Sequence, residues 1–459
     1  MRYTTICSVM PISSLKHTTK RLRTGGTVFI LNTGAVITPE AEAMLQALHS
    51  RSTGGIKAHL KVLAEKGSDK FMSSYYVGYG HKSIGDCGTI TIFVEGVSML
   101  AAKAIQDWKL YSGQEASTRY IDFSKQVFVD PVGTRASNAI LEKWRRFYLK
   151  SQEPLKEHLR KRFPKEESEK ETIYEKAIAA RAFDIMRGFL PSGASTNLAW
   201  HTNLRQVADE LMLLRHHPLT EVQDIAETLT KALDVAFPSS FGHEKFETTE
   251  AYNKFWMNNA YYYSEKATDT VKILDDSIDK KLLSSYKGIL KKRPFKTELP
   301  KYLAECGTLQ FGFLLDFGSF RDIQRHRAVT QRMPLVTTKY GFAKWYLESL
   351  PVNVRTEAKK LLKMQEASIK KLKTTKEIAQ YYIAMGFQLP NRVTGDLPAL
   401  VYLVELRATR FVHPTLQKKA SQMAAILEKR FGKYGLKLHL DSDPGRFDSG
   451  RGKHDIIKK

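Results

Sequence analysis

The chain has 459 residues, 42% of them hydrophobic and 10% aromatic, and carries a formal charge of +24. That length and apolar content predict two or three domains, each able to bury a core. Nothing approaches the ~20 apolar residues that span a bilayer, and Cys7, Cys87 and Cys306 stand far apart without a C-x-x-C pair, which argues against a disulfide framework or a zinc knuckle and for a reducing cytoplasm. The N-terminus shows no signal-peptide pattern.

In chain order, residues 1–24 read as irregular. Thr27 to Leu31 is β-branched and apolar, as in a strand. Thr38-Pro39-Glu40 opens a helix with a capping hydroxyl and proline at its first position. Ile90, Ile92 and Val94 alternate in a half-buried strand over Thr89 to Glu95, and Gly96 is expected to break it. Val97, Leu100, Ala101, Ala104, Ile105 and Trp108 then recur at helical spacing. Further helical patterns run over Ile140 to Tyr148, Ile173 to Met186 and Leu204 to Leu214. A second strand follows at Leu309, Phe311, Phe313 and Leu315, punctuated by Gly318 before another helix. Glu357 to Leu372, Ile378 to Met385 and Leu400 to Leu406 are also helical in pattern. Asp441 to Lys459 is rich in Gly, Asp and Lys and reads as a disordered tail.

This order repeats. Cys87-Gly88-Thr89 leads through a strand and helix to Asp107-Trp108-Lys109; Cys306-Gly307-Thr308 leads likewise to Arg325-His326-Arg327. The offset is 219 at the cysteines and 218 at the triplets, so one residue is missing from the second copy. A period of that length predicts two tandem α+β modules, each an antiparallel sheet packed with helices. The expected division is 1–245, 246–440 and a tail at 441–459.

The chemistry-bearing residues are split between the copies. Arg325-His326-Arg327 offers two planar donor forks and an imidazole, a set suited to phosphate or carboxylate; alternatively it is an exposed basic helix end. Ser112, Gln114, Glu115, Ser117 and Arg119 suit a nucleotide, or form a polar loop bonded to itself. The second copy has Thr330, Met333, Leu335 and Thr337 at the corresponding places, too apolar a loop to grip phosphate. Leu214-Arg215 and Leu406-Arg407 correspond at an offset of 192. Arg205, Arg215 and Arg407 are either anion ligands or arginines paired to carboxylates. His81 and Ser83 precede the first strand. No metal-ligand spacing, Walker loop or dinucleotide fingerprint is present. The positive charge raises nucleic acid as a partner, while the lysines at 359, 360, 363, 370, 371 and 373 also fit the solvated face of a helix.

Together, Gly80-His81-Lys82-Ser83, Ser112, Glu115-Ala116-Ser117-Thr118-Arg119-Tyr120, Asn203-Leu204-Arg205, Leu214-Arg215, Arg325-His326-Arg327 and Leu406-Arg407 resemble the flavin-dependent (alternative) thymidylate synthases, in a tandem-duplicated form. The resemblance implies FAD as cofactor, NADPH and methylenetetrahydrofolate as co-substrates, and dUMP as the methyl acceptor, with no cysteine nucleophile. Carried over by position, it gives Arg325, His326, Arg327, His81, Ser83 and Arg407 to the flavin. It gives Ser112, Gln114, Glu115, Ser117, Arg119, Arg205 and Arg215 to the nucleotide, with Arg119 and Arg215 catalytic. It further implies a site shared between unlike modules and a homodimer holding four of them. Two departures stand out: Asp107-Trp108-Lys109 replaces R-H-R in the first copy, and Asp322 takes the place of a glutamine before the triplet in the second. Cys87 and Cys306 are expected to be buried at the strand starts. A related flavoenzyme acting on another pyrimidine or on uracil in nucleic acid, and a non-catalytic scaffold, are the competing readings.

Overall fold

The structure is a computed structural model describing residues 17–31, 37–51, 55–78, 81–118, 121–242, 245–261 and 266–441. The chain forms two compact units. One is Met1–Ala116 with Ser195–Asn258; the other is Ser117–Ala194 with Asn259–Lys459.

The sheet of the first unit has the order β1 (His17–Arg21), β2 (Thr27–Leu31), β3 (Thr89–Ser98), β5 (Ser195–Asn203), β4 (Ser112–Glu115), and every neighbouring pair is antiparallel. The strand at 27–31 and the helix α1 (Pro39–Arg51) lie where the sequence puts them, the Thr38 hydroxyl accepting the Ala41 amide at 3.1 Å. Residues 17–21, expected to be irregular, are paired with β2 instead. Ile90, Ile92 and Val94 are at most 1% exposed, as the alternation requires. Each such side chain contributes about 1.5–3 kcal/mol by leaving water.

Gly96 does not end the strand. It sits at φ +68 in a bulge where β3 carries one residue more than β5, between Val94 and Val97. Its amide donates to the Asn197 side chain at 2.9 Å. Val97 therefore still belongs to β3, and the helix α2 (Met99–Gln106) begins behind Ser98, whose Oγ accepts the Ala101 amide.

The sheet of the second unit runs β6 (Lys272–Asp276), β7 (Thr308–Asp316), β9 (Gln388–Asp396), β8 (Thr330–Arg332), again antiparallel throughout. Its connectivity is that of β2-β3-β5-β4. Pairing of β7 with β9 is continuous from Thr308 to Asp316, with no bulge. The residue that changes the offset from 219 to 218 is thus the bulge residue of β3. Asp316 caps α7 (Phe317–Ile323) through the Ser319 amide, as Ser98 caps α2, and Gly318 lies within this helix.

Helices α3 (Arg135–Lys150), α4 (Glu171–Met186), α5 (Leu204–Leu214), α6 (Thr220–Ala236), α8 (Val352–Lys371), α9 (Leu397–Arg407) and α10 (Pro414–Phe431) complete the packing. The helical pattern at 378–385 yields only the four-residue helix Lys376–Ala379 and the 3₁₀ turn Gln380–Tyr382. Residues 442–459, read as a disordered tail, lie outside the described residues, as does Cys7. Cys306 is buried; Cys87 is only half-buried, against expectation.

Caps also fix the second register. Asn203 caps α5 through the Gln206 amide and Asp396 caps α9 through the Ala399 amide, an offset of 193. Arg407 therefore corresponds to Leu214, and the partner of Arg215 is Ala408; the offset of 192 is one residue short.

Within the second unit, the stretch before β5 meets the stretch before β9. Ser192 N donates to Ile383 O and Met385 N to Leu190 O, both at 2.8 Å. Gly193 N donates to Tyr381 O at 2.9 Å and Gly386 N to Gly188 O at 2.8 Å. An offset of 193 converts each bond of a pair into the other, with Pro191 opposite Ala384 at the centre. This is the self-complementary pattern of a two-fold axis.

Candidate functional site

The triplet sits in a turn, not on a helix: α7 ends at Ile323, and the His326 amide closes the turn on the Ile323 carbonyl at 3.0 Å. Gln331 of β8 ties it down, its amide nitrogen donating to the carbonyls of Ile323 at 2.9 Å and His326 at 3.0 Å. This geometry splays the triplet. Arg325 and Arg327 are exposed, while His326 is 6% exposed. His326 Nε2 accepts Arg407 Nε at 2.6 Å, and its ring meets Tyr402 edge-on at 5.8 Å. Burial, helped by the Arg407 charge, pushes the imidazole down to about 3. It is a neutral acceptor on one nitrogen and a donor on the other.

Asp322 lies beneath. Burial raises its carboxyl, but Arg187, Arg325, Arg407 and Arg321 outweigh that and hold it below the usual range. Arg187, from the short 3₁₀ turn Arg187–Phe189, reaches Asp322 at 3.3 Å and the Ser319 hydroxyl at 3.4 Å. Burial disfavours its charge, yet Asp322, Tyr346, Asp184 and Asp316 raise its pKa. Beside it, His413 Nδ1 lies 3.2 Å from Ser319 Oγ, and Nε2 lies 3.1 Å from the Asp184 carbonyl. Sequence reasoning missed Arg187 and treated Asp322 only as a departure. The signal was an acidic residue three before an Arg-rich triplet, a countercharge close enough in the chain to offset it.

In the first unit, Ser112, Gln114 and Glu115 lie on β4, a strand rather than a loop, paired with His201, Ala199 and Leu198. Ser112 and Gln114 are exposed; Glu115 accepts Gln106 Nε2 at 2.9 Å. Ser112 opposite His201 repeats as Thr330 opposite Thr394, which carries the sequence correspondence of these strands into their register. Arg205 is bound to Asp86 at 2.8 Å and to Asp209 at 3.5 Å. Arg215 bonds to Glu250, which also meets His216 at 2.8 Å. His81 and Ser83 are exposed around the four-residue helix Lys82–Gly85. Ser117 falls in the second unit, and Arg119 lies outside the described residues. The structure thus gathers Arg325, His326, Arg327 and Arg407 in one corner and leaves Ser112, Gln114 and Glu115 along one strand. Among the described residues no cluster of His, Cys, Asp or Glu could hold a metal, and no helix is long and apolar enough to cross a membrane.

Residues 36–239 match the family model for Thy1, thymidylate synthase complementing protein. The Thy1 segment contains His81, Ser83, Ser112 to Arg119, Arg205 and Arg215; the triplet and Arg407 lie beyond it. Similarity to whole relatives extends further. A UPF0159 protein of Chlamydia muridarum is 24% identical over 75% of this chain and 76% of its own length. One of Chlamydia pneumoniae is 24% identical over 81% of each. A third, from Thermoplasma acidophilum, is 22% identical over 78% of this chain and 86% of its own.

Proposed function

We propose that this protein is a flavin-dependent thymidylate synthase that transfers the methylene of methylenetetrahydrofolate to dUMP, with FAD as cofactor and NADPH as reductant. The observation that carries the reading is the Arg325-His326-Arg327 corner together with the Thy1 match. The donor set fits a flavin nucleotide: two exposed guanidiniums flank a buried neutral imidazole, and a third guanidinium, that of Arg407, anchors it from behind. Arg325 and Arg327 would hold the pyrophosphate by forked, charge-assisted bonds. The flavin would supply the redox chemistry and the relay of the one-carbon unit. His326 positions rather than titrates, because its ring stays neutral across the working range of pH. Asp322 offsets the mutual repulsion of the four arginines that act on it, Arg187, Arg325, Arg407 and Arg321.

For the nucleotide, Ser112, Gln114 and Glu115 on β4 provide hydroxyl, amide and carboxylate groups for a pyrimidine and its ribose, with Ser117 and Arg119 for its phosphate. Arg205 and Arg215 contribute positive charge where the ring becomes electron-rich, each steadied by its carboxylate partner. The common sheet connectivity and the self-complementary bonds around Pro191 and Ala384 support a tandem duplication, and we infer a homodimer of four modules.

The test is an absorbance spectrum of the purified chain, with FAD and then dUMP added. Flavin bands that shift with dUMP are expected, and Arg325→Ala or Arg327→Ala removes them. A chain that neither carries nor takes up flavin refutes the proposal.

A further inference from the structure

A cavity of about 380 Å³ lies in the second unit, between the loop that follows β8 and the end of α8 with the short helix Lys376–Ala379. None of the residues in the triplet corner lines it. From the loop come Thr337, Thr338 and Lys339; from the helices come Lys370 and Lys376. Among the described residues the lining holds these three lysines and one carboxylate, Glu366. The loop that reads as too apolar for phosphate thus ends in Thr337, and Thr338 and Lys339 after it also line the cavity.

Its shape is fixed locally. The Lys339 amide donates to Thr337 Oγ1 at 3.3 Å, and the Gly341 amide closes a turn on the Thr338 carbonyl at 3.1 Å. Gly341, at φ +77, allows that turn where a side chain would be strained. The Lys339 ammonium lies 5.5 Å from the centre of the Tyr340 ring. Ile369, Ile383 and Leu335 add apolar surface to the lining.

We propose that this cavity is a second ligand site, for a phosphomonoester no larger than a mononucleotide. Short hydroxyls and lysine point charges are the usual partners of a terminal phosphate dianion, and the apolar surface with Tyr340 accepts a compact ring. The volume is near the lower end of the ~300–1,000 Å³ typical of small-ligand pockets, which excludes a dinucleotide. The site does not depend on the flavin reading.

Lysine acetylation of the full chain, mapped by mass spectrometry, tests this with inorganic phosphate, dUMP and deoxyuridine as probes. Protection of a liganded lysine follows 1 + [L]/Kd, so about threefold slowing at Lys339, Lys370 and Lys376 is expected once a probe exceeds about twice its Kd. Slowing by phosphate alone identifies a simple anion pocket, and stronger slowing by dUMP adds the ring subsite; deoxyuridine leaves the rates unchanged. Lys359 and Lys363 on the same helix serve as internal controls. The double variant Thr337→Val, Lys370→Gln, at half-buried and exposed positions, abolishes protection of Lys339 and Lys376. Unchanged rates at all three lysines, or equal slowing at the controls, overturn the site. Slowing confined to Lys82 and Lys109 in the first unit also overturns it, while leaving the nucleotide reading of that unit standing.

Discussion

Acidification from pH 7 to 5 should loosen the second unit far more than the first, and the cause is buried neutral histidine. His326 and His413, both in the second unit, are pushed from 6.5 down to about 3 and about 4; His217 in the first unit goes to about 3. Burial is the main cause in each, aided by Arg407 at His326, Arg187 at His413 and Lys103 at His217. Each ring also has a nitrogen engaged as an acceptor or beside hydroxyls: His217 Nδ1 takes the Leu219 amide at 3.1 Å. Above 6.5 both folded and unfolded states are neutral and nothing depends on pH. Below it the unfolded chain binds a proton that the folded ring refuses, so stability falls as pH falls, down to the folded pKa. From pH 7 to 5 each of these histidines costs about 2 kcal/mol, so the second unit loses about 4 kcal/mol from His326 and His413, and His158, lowered first by burial, adds to that loss. In the first unit Glu210 opposes the loss, because burial first and Asp107 second raise its carboxyl well above the usual range and the folded state takes up its proton earlier. Amide hydrogen exchange at pH 7, 6 and 5 reads the opening energy of each unit separately. His326→Gln should remove about half of the second unit's pH dependence. Equal losses in the two units, or a second-unit loss under about 1 kcal/mol, would refute the reasoning; so would imidazole resonances titrating near 6.5.

Three structural predictions follow from single contacts. Arg187→Met leaves the half-buried Asp322 without its closest countercharge and should cost about 1–3 kcal/mol in thermal unfolding, with part of the loss recovered in the double variant with Asp322→Asn. A Cβ at Gly113 would stand 2.0 Å from the Ala199 carbonyl oxygen, so Gly113→Ala should part β4 from β5 and cost about 1–3 kcal/mol, visible as faster exchange of the strand amides. Trp144 is fully buried and its indole N–H donates to the Tyr382 carbonyl at 2.9 Å; Trp144→Phe strands that carbonyl and should cost about 1–3 kcal/mol in urea unfolding.

Much of this fold is written in local patterns. Alternation over Ile90, Ile92 and Val94 and over Leu309, Phe311, Phe313 and Leu315 marks the central strand of each sheet, because one face of each is buried. Helices with long apolar stripes, such as 204–214, are legible to the residue. The bulge at Gly96 was not, since a glycine between apolar residues reads equally as a stop, and only the facing strand shows that pairing resumes. β6 was missed because Lys272, Asp275 and Asp276 give an edge strand little apolar signal. At the candidate site, residue types could be read but not their commitments. Glu250 and Asp86, which hold Arg215 and Arg205, lie 35 and 119 positions away in the chain, so nothing local announces them. The burial of His326 between two exposed arginines is likewise set by Arg407 and Gln331.

The paired stretches at 188–193 and 381–386 free this protein from a constraint. On the axis of a symmetric dimer every residue must tolerate a copy of itself, and any substitution is made twice. Here proline faces alanine, and Ser192, whose hydroxyl donates to the Ile383 carbonyl at 2.9 Å, has a methionine, Met385, as its counterpart. Each side of the axis can therefore be fitted to a different neighbour, and under the proposed duplication one half of the chain can specialise without imposing the same change on the other.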